Sequence, residues 1–180
     1  MFNSEIWTIE RLSGICFILG FAVMSLGIAM FLSRGGLQGG DGSALERGAL
    51  MAAVVVTVVG VALLDGPLGE TAGRALSRVG LTLYILGAAA LLVAEATALS
   101  QGERSVYALI VIYVVLALLA QAAVGGALLQ TGIVPAWVGW TTIVWNLGFL
   151  VVLPIVTSGD MYYPVLHGLM PLVIGIYLLL

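Results

Sequence analysis

The longest uncharged stretch of this chain indicates whether it folds in water or in a lipid bilayer. Residues 105–159 contain no Asp, Glu, Lys or Arg, and residues 161–180 contain none either. A soluble domain needs charged and polar side chains to cover its water-facing surface, and this half of the chain has almost none. The whole chain is 62% hydrophobic and 8% charged, with a mean hydropathy of +1.19. These values are typical of a multi-pass helical membrane protein, so we expect a lipid bilayer around it.

Charge-free segments and helix breakers divide the chain into six candidate transmembrane helices. The segments are 12–32, 48–64, 79–99, 107–130, 136–156 and 162–180. Most have about the 20 residues that a bilayer requires. Asp65, Gly66 and Pro67 are expected to end the second helix, and the turn at residues 131–135 divides the fourth from the fifth. The sequence therefore predicts an all-α fold, a polytopic transmembrane six-helix bundle that forms a single integral membrane domain over residues 1–180.

Six spans place both ends of the chain on one side of the membrane, called side A here, with side B opposite. Trp and Tyr side chains prefer the two lipid–water boundaries. The expected boundary residues are Trp7, Tyr84, Trp137, Trp140 and Tyr177 at side A and Tyr107, Tyr162 and Tyr163 at side B. Each boundary thus receives aromatic residues, which supports the six-span arrangement.

The arginines are balanced between the two sides, so the positive-inside rule does not decide the orientation. Arg11, Arg74 and Arg78 lie at side A, and Arg34, Arg47 and Arg104 lie at side B. The position of Arg11 beside the first span favours side A as the cytoplasmic side. Residues 1–10 hold two Glu and no basic residue, unlike the start of a cleaved signal peptide. We therefore expect a multi-pass protein of a prokaryotic inner (cytoplasmic) membrane, with cytoplasmic termini and no cleaved signal peptide.

Composition and motifs exclude several kinds of chemistry. All six basic residues are Arg, so a lysine Schiff base, as in a retinal pigment, cannot form. Cys16 is the only cysteine, which leaves no intramolecular disulfide and no cysteine-rich metal site. The scattered charges form no basic patch for nucleic acid. The sequence contains no HExxH, no phosphate-binding glycine loop and no GxSxG. We therefore expect no enzymatic activity, no metal, no cofactor and no nucleic-acid partner.

Two amide side chains fall inside the predicted spans. Gln121 lies near the middle of the fourth helix and Asn146 near the middle of the fifth, at the same depth when both are measured from the intervening turn. An interhelical hydrogen bond between them is the simplest interpretation, and Gly125 and Gly139 would let the two helices approach closely. The alternative is that Asn146 contacts a ligand or an ion.

One histidine provides the best candidate for a binding site. His167 lies near the side B end of the sixth helix, with Glu95 near the same boundary on the third helix and Tyr113 at a similar depth on the fourth. An imidazole, a carboxylate and a phenol at one level can form a proton-accepting pocket or a small-molecule site. The alternative is that water hydrates Glu95 while His167 bonds to a nearby carbonyl. Pro171 lacks a backbone N–H and predicts a kink near His167.

Three segments carry a resemblance to known proteins. They are residues 9–15 (IERLSGI), residues 132–140 (GIVPAWVGW, with the pattern GxxPxWxGW) and residues 171–177 (PLVIGIY). Together these segments resemble small bacterial six-helix multi-pass membrane proteins of unknown function. The resemblance implies a six-helix bundle and brings no activity with it.

Three functions are compatible with these features. The favoured one is a non-enzymatic structural or accessory subunit that packs, within the lipid bilayer, against a membrane-protein partner or another copy of itself. The first alternative is a carrier or binding protein for a small or lipophilic molecule, reached from side B past Glu95, Tyr113 and His167. The second is a pigment- or haem-associated subunit in which His167 is the single axial ligand.

Overall fold

The computed structural model describes residues 8–35, 42–101, 103–157 and 164–180. Its α-helices are α1 (Ile9–Ser33), α2 (Ala44–Gly69), α3 (Arg74–Gln101), α4 (Tyr107–Thr131), α5 (Ala136–Val156) and α6 (Pro164–Leu179), with a 3-10 turn at Glu103–Val106. These described residues contain no strand, so the predicted all-α bundle of six helices is confirmed. The boundary residues Trp7, Tyr162 and Tyr163 lie outside them.

The helices have the dimensions and composition of membrane spans. Five of them, α1 to α5, contain 21 to 28 residues and are long and apolar enough to cross a membrane. The sixth, α6, is apolar but shorter, with 16 residues. Large apolar side chains are also exposed on the outside of the bundle, among them Leu19, Val93 and Val151. A water-soluble protein would bury such side chains, whereas lipid solvates them, so the helices are compatible with an integral membrane protein.

The second helix is longer than the sequence analysis predicts. The Ser43 side chain accepts a hydrogen bond from the Glu46 N–H at 3.1 Å and caps the helix, which starts four residues before the predicted start. Asp65, Gly66 and Pro67 do not end α2, which continues to Gly69. The prediction was wrong because a proline near the end of a helix removes only one intrahelical bond, a cost that packing can offset.

Neighbouring helices in the chain pack side by side around the bundle, and α6 returns to pack mainly against α1. The contact between α6 and α5 is slight by comparison. The core includes buried side chains from α2, α3 and α4, among them Leu64, Leu91 and Leu118. Of the five helices long enough to span a membrane, α2 and α4 are the most buried.

Glycines mark the closest helix approaches. A Cβ atom added to Gly125 on α4 would lie 3.0 Å from the carbonyl oxygen of Gly139 on α5, so these two helices pack backbone to backbone, as predicted. Between α1 and α6, a Cβ on Gly14 would lie 2.8 Å from the carbonyl oxygen of Gly175. Small residues permit such contacts, which are typical of helix pairs in membranes.

Candidate functional site

His167 lies in the interior of the bundle. Its side chain on α6 is 1% exposed, and its ring centroid is 5.5 Å from that of Tyr113 on α4, with the two rings tilted by 41°. Neither ring nitrogen of His167 has a hydrogen-bond partner among the residues that the structure describes. The predicted alternative, in which the imidazole bonds to a nearby carbonyl, is therefore wrong. The predicted proximity of His167 and Tyr113 is present.

Gln121 bonds to the backbone of α6. Its Nε2 donates to the carbonyl oxygen of His167 at 2.8 Å. In a regular helix that carbonyl would accept from the N–H four residues later, but Pro171 stands there and has none. The Gln121 side chain therefore supplies the hydrogen bond that Pro171 cannot, and α6 runs through the proline as one helix.

The predicted hydrogen bond between Gln121 and Asn146 is absent. Asn146 instead donates from Nδ2 to the carbonyl oxygen of Thr142, one turn earlier on its own helix, at 2.7 Å. Asparagine side chains readily make such local backbone bonds, which compete with bonds between helices. The Oδ1 of Asn146 and the Oε1 of Gln121 have no hydrogen-bond partner within the described ranges.

Tyr84 belongs to the same buried region, although the sequence analysis placed it at the side A boundary. It is 1% exposed on α3, and its hydroxyl lies beside the side chains of Gln121 and Tyr113. That hydroxyl makes no hydrogen bond of standard geometry to any described residue. The boundary prediction failed because it used residue type alone. The helical spacing of Ser77, Tyr84 and Glu95, which places them on one face of α3, was the available signal.

Glu95 forms a charged layer with Arg47 toward side B. Its Oε2 accepts a hydrogen bond from Nη1 of Arg47 at 2.9 Å, and both side chains are 2% exposed. The predicted alternative of a hydrated Glu95 at the boundary is therefore wrong, and so is the placement of Arg47 in a loop. Arg47 lies in the first turn of α2, because that helix starts earlier than predicted. Next to it, Glu46 forms an ion pair with Arg34 at 2.9 Å.

The bundle interior thus contains what we call the central cluster, formed by Tyr84, Tyr113, Gln121 and His167 from three helices. Glu95 is not a neighbour of Tyr84 in this cluster, because the eleven residues between their positions on α3 span about 16 Å along the helix axis. Comparison with models of known protein families, with curated proteins and with solved structures gives no match.

A second polar layer lies toward side A. The carboxylate of Asp65 on α2 accepts a hydrogen bond from the Ser77 hydroxyl at 2.7 Å and pairs with Arg78 at 3.1 Å. Asp65 is buried, whereas the Arg78 side chain is 60% exposed. The sequence analysis anticipated neither the burial of Asp65 nor its bond to Ser77.

The central cluster combines hydrogen-bonding capacity with apolar surroundings. It offers a phenol hydroxyl at Tyr84, an amide oxygen at Gln121 and two imidazole nitrogens at His167, and it contains no formally charged side chain. Behind His167, Gly168 packs against Phe21 and Met24 of α1. His167 could supply at most one axial ligand to a metal-containing pigment, because it is the only histidine. The arrangement suits hydrogen bonding to an uncharged group.

Proposed function

We propose that this protein is a non-enzymatic integral membrane protein that binds a small, lipophilic molecule at the central cluster. One observation carries the proposal: four polar atoms in a single cluster make no hydrogen bond of standard geometry to any described residue. They are Tyr84 Oη, Gln121 Oε1, His167 Nδ1 and His167 Nε2. A buried polar group without a partner costs about 1–3 kcal/mol. A bound molecule that supplies those partners would recover that free energy on binding.

The chemistry of the cluster limits the ligand. Because it contains no formal charge, a neutral molecule fits better than an ion, which would need a compensating charge in so buried a place. The aromatic rings of Tyr84, Tyr113 and His167 favour a flat or apolar body, and the unpartnered atoms favour hydroxyl or carbonyl groups. We expect access from side B, because Tyr113 lies nearer to that end of α4 than Gln121 does.

The test is a purification in mild detergent followed by mass spectrometry of extracted small molecules and a visible spectrum. The parent and Thr57→Val should retain a reproducible compound, whereas His167→Ala and Tyr84→Phe should lose it. Thr57 is the matched control because its buried hydroxyl bonds to the Ala53 carbonyl on its own helix, α2, which contributes no residue to the central cluster. The proposal fails if the parent carries no compound and no member of a lipophilic panel raises its melting temperature. An absorption band lost in His167→Ala would instead indicate a pigment or haem.

A second function, that of an accessory subunit, is favoured by one feature of α5. A groove of about 520 Å³ on the outside of this helix has Gly148 in its middle and aromatic walls at Trp140, Trp145 and Phe149. Nothing lies within 4 Å of where a Gly148 Cβ would be. Glycine in such a groove lets another backbone approach, so the groove suits a transmembrane helix of a partner protein.

Cross-linking in native membranes tests the second function. A stoichiometric partner cross-linked to the parent and lost in Gly148→Leu would support it. The control is Val93→Leu, which adds volume to an exposed position on α3. Equal cross-linking of the parent and Gly148→Leu would contradict the assignment of the groove. The inner membrane location and the cytoplasmic side A are part of the same proposal, and tags accessible from one side of spheroplasts would test them.

A further inference from the structure

Buried polar residues recur at intervals along one face of α3. Successive residues of an α-helix are rotated by about 100°, so Ser77, Tyr84 and Glu95 lie within about 20° of one line along the helix. All three are buried. In an apolar bundle each such residue carries a cost, and a row of them at successive depths marks a pathway in many membrane proteins.

At each end of this row a buried carboxylate pairs with an arginine. Toward side A, Ser77 bonds to Asp65, which pairs with the exposed Arg78. Toward side B, Glu95 pairs with the buried Arg47, whose chain neighbour Glu46 pairs with Arg34, a side chain that is 15% exposed. The ion pairs near the two ends thus include an arginine that reaches the surface, Arg78 toward side A and Arg34 toward side B, whereas the central cluster between them is enclosed.

We propose that these layers form a proton path between the two faces of the bundle, with His167 as the central proton carrier. Glu95 takes a proton from water at side B and passes it to one ring nitrogen of His167, while the other ring nitrogen releases its proton past the hydroxyl of Tyr84 to Asp65, so the imidazole stays neutral. Asp65 then releases its proton to water at side A. The arginines hold the two carboxylates in place and carry no proton, because a guanidinium is not deprotonated in proteins. One proton enters at side B for each proton that leaves at side A. Histidine is suited to this role because its two nitrogens can accept a proton on one side and release one on the other.

The surroundings of His167 are compatible with this role. The groups facing it are Tyr113 and Gln121 from α4, and Tyr84 from α3 beyond Gln121. From α1, the side chains of Phe21 and Met24 pack at Gly168. From α5, the Trp145 indole donates to the Leu166 carbonyl at 3.2 Å. The nearest charged layers along the path are therefore those of Glu95 with Arg47 and of Asp65 with Arg78.

Two apolar gaps separate the layers. From Tyr84 to Ser77 the distance along α3 is about 10 Å, and Gly80 lies between them against Val124. Because water molecules in a hydrogen-bonded chain are about 2.8 Å apart, two or three would bridge this gap. Water would bridge the second gap, between Glu95 and His167, in the same way. Conduction through transient water makes the path slow and selective for protons over larger ions.

Proton flux into liposomes tests the proposal without any bound molecule. Purified protein is reconstituted with a pH-sensitive dye inside, and a potassium gradient with valinomycin drives protons inward. The parent should acidify the lumen at least ten times faster than protein-free liposomes. Flux should fall at least tenfold in His167→Ala and in Asp65→Asn, and stay at the parental rate in Thr57→Val. Tyr84→Phe should also reduce flux. Because this variant keeps the aromatic ring and removes only the hydroxyl, its reduced flux would not be explained by misfolding.

Either of two results would overturn the path: a parent no faster than protein-free liposomes, or a folded His167→Ala protein with undiminished flux. This inference shares residues with the proposed ligand site but does not depend on it. Ligand retention with no flux removes the path alone. Flux with no retained compound and no stabilisation by the lipophilic panel removes the ligand site alone.

Discussion

Gln121 shows how one side chain can make a proline tolerable inside a membrane helix. Pro171 leaves the carbonyl of His167 without its helical N–H, and Gln121 Nε2 occupies that place at 2.8 Å. The bond also holds α4 against α6, because the donor and acceptor belong to different helices. A residue that the sequence analysis assigned to helix packing thus packs a different helix pair than expected.

Replacing Gln121 by Leu should therefore lower the free energy of unfolding by about 1–2 kcal/mol, since a buried carbonyl loses its only replacement donor. The dependence on Pro171 can be tested with a double-mutant cycle. In a Pro171→Ala background the N–H of residue 171 is restored, so Gln121→Leu should cost less than half as much. Thermal unfolding in detergent gives both values. An equal cost in the two backgrounds would show that the bond does not compensate for the proline.

The sequence indicated which residues belong to the candidate site better than it indicated which residues they contact. His167 and Tyr113 are conspicuous as the only histidine and as a phenol within an apolar run, and the structure brings them together. The position of Arg47 inside a helix was not foreseeable from charge, because an arginine near a span boundary ordinarily lies in water. Its partner Glu95 is 48 residues away, and composition carries no information about that distance.

The helix pair α2 and α3 is joined by a buried ion pair, and its two charges depend on each other. Glu95→Ala would remove the carboxylate that accepts from Nη1 of the buried Arg47, so we expect a loss of about 3–5 kcal/mol of unfolding free energy. The double variant Arg47→Met/Glu95→Leu should recover most of that loss because it removes both charges. Thermal or denaturant unfolding measures this. Arg74→Ala, at an exposed position on the same helix, is the control and should change stability little.

Glycine packing between α4 and α5 leads to a second prediction for the helices. A Cβ on Gly139 would lie 2.7 Å from Cγ of Leu129 and 2.9 Å from the carbonyl oxygen of Gly125. Gly139→Ala should therefore destabilise the protein by about 1–3 kcal/mol through overpacking.

Gly148→Ala is the matched control for Gly139→Ala, because it lies on the same helix with no atom within 4 Å of the added Cβ. It should leave the melting temperature unchanged or raise it slightly, since Ala favours helix more than Gly does. If both variants lowered stability equally, helix propensity or lipid contact would have to explain the result rather than packing.

The lengths of the uncharged segments were enough to predict that each helix exists. The residues at which a helix begins and ends depend on local hydrogen bonds and ion pairs. The fifth helix was predicted at 136–156 and is Ala136–Val156, because Pro135 and the uncharged run define it well. The second was predicted at 48–64 and is Ala44–Gly69. Here the charged residues that were taken to mark a water-exposed loop are buried and paired. Pairing between helices is a tertiary effect, and the sequence of either helix alone does not contain it.

For the whole molecule, the order of helices around the bundle could not be predicted from the chain. The packing of α6 against α1 depends on the facing positions of Gly14 and Gly175, which are far apart in sequence. The contact between α5 and α6 is slight and includes an edge-to-face pair of Trp137 and Tyr177, with centroids 5.2 Å apart. Their boundary is the weakest between consecutive helices of the bundle.

That boundary is where we expect the bundle to separate when a ligand reaches the central cluster. In a Cys16→Ser background, Trp145→Cys and Leu166→Cys, at the contact between α5 and α6 that lies nearer side B, joined by a short bis-maleimide should slow ligand exchange at least tenfold. The same double variant without the cross-linker is the control and should exchange at the parental rate. Fluorescence or thermal-shift kinetics with a retained compound measures the exchange. Unchanged exchange in the cross-linked protein would place the access route elsewhere.

Polar contacts join α2 to α3 near both ends of the helix pair. At one end Arg47 pairs with Glu95, and at the other Asp65 accepts a hydrogen bond from Ser77 and pairs with Arg78. A shift of α2 along α3 by one helical turn, about 5.4 Å, would break the contacts at both ends at once. We therefore expect α2 and α3 to keep their register during any motion of the bundle. A rearrangement would then separate α5 from α6, whose contact is slight, and leave α2 and α3 in place.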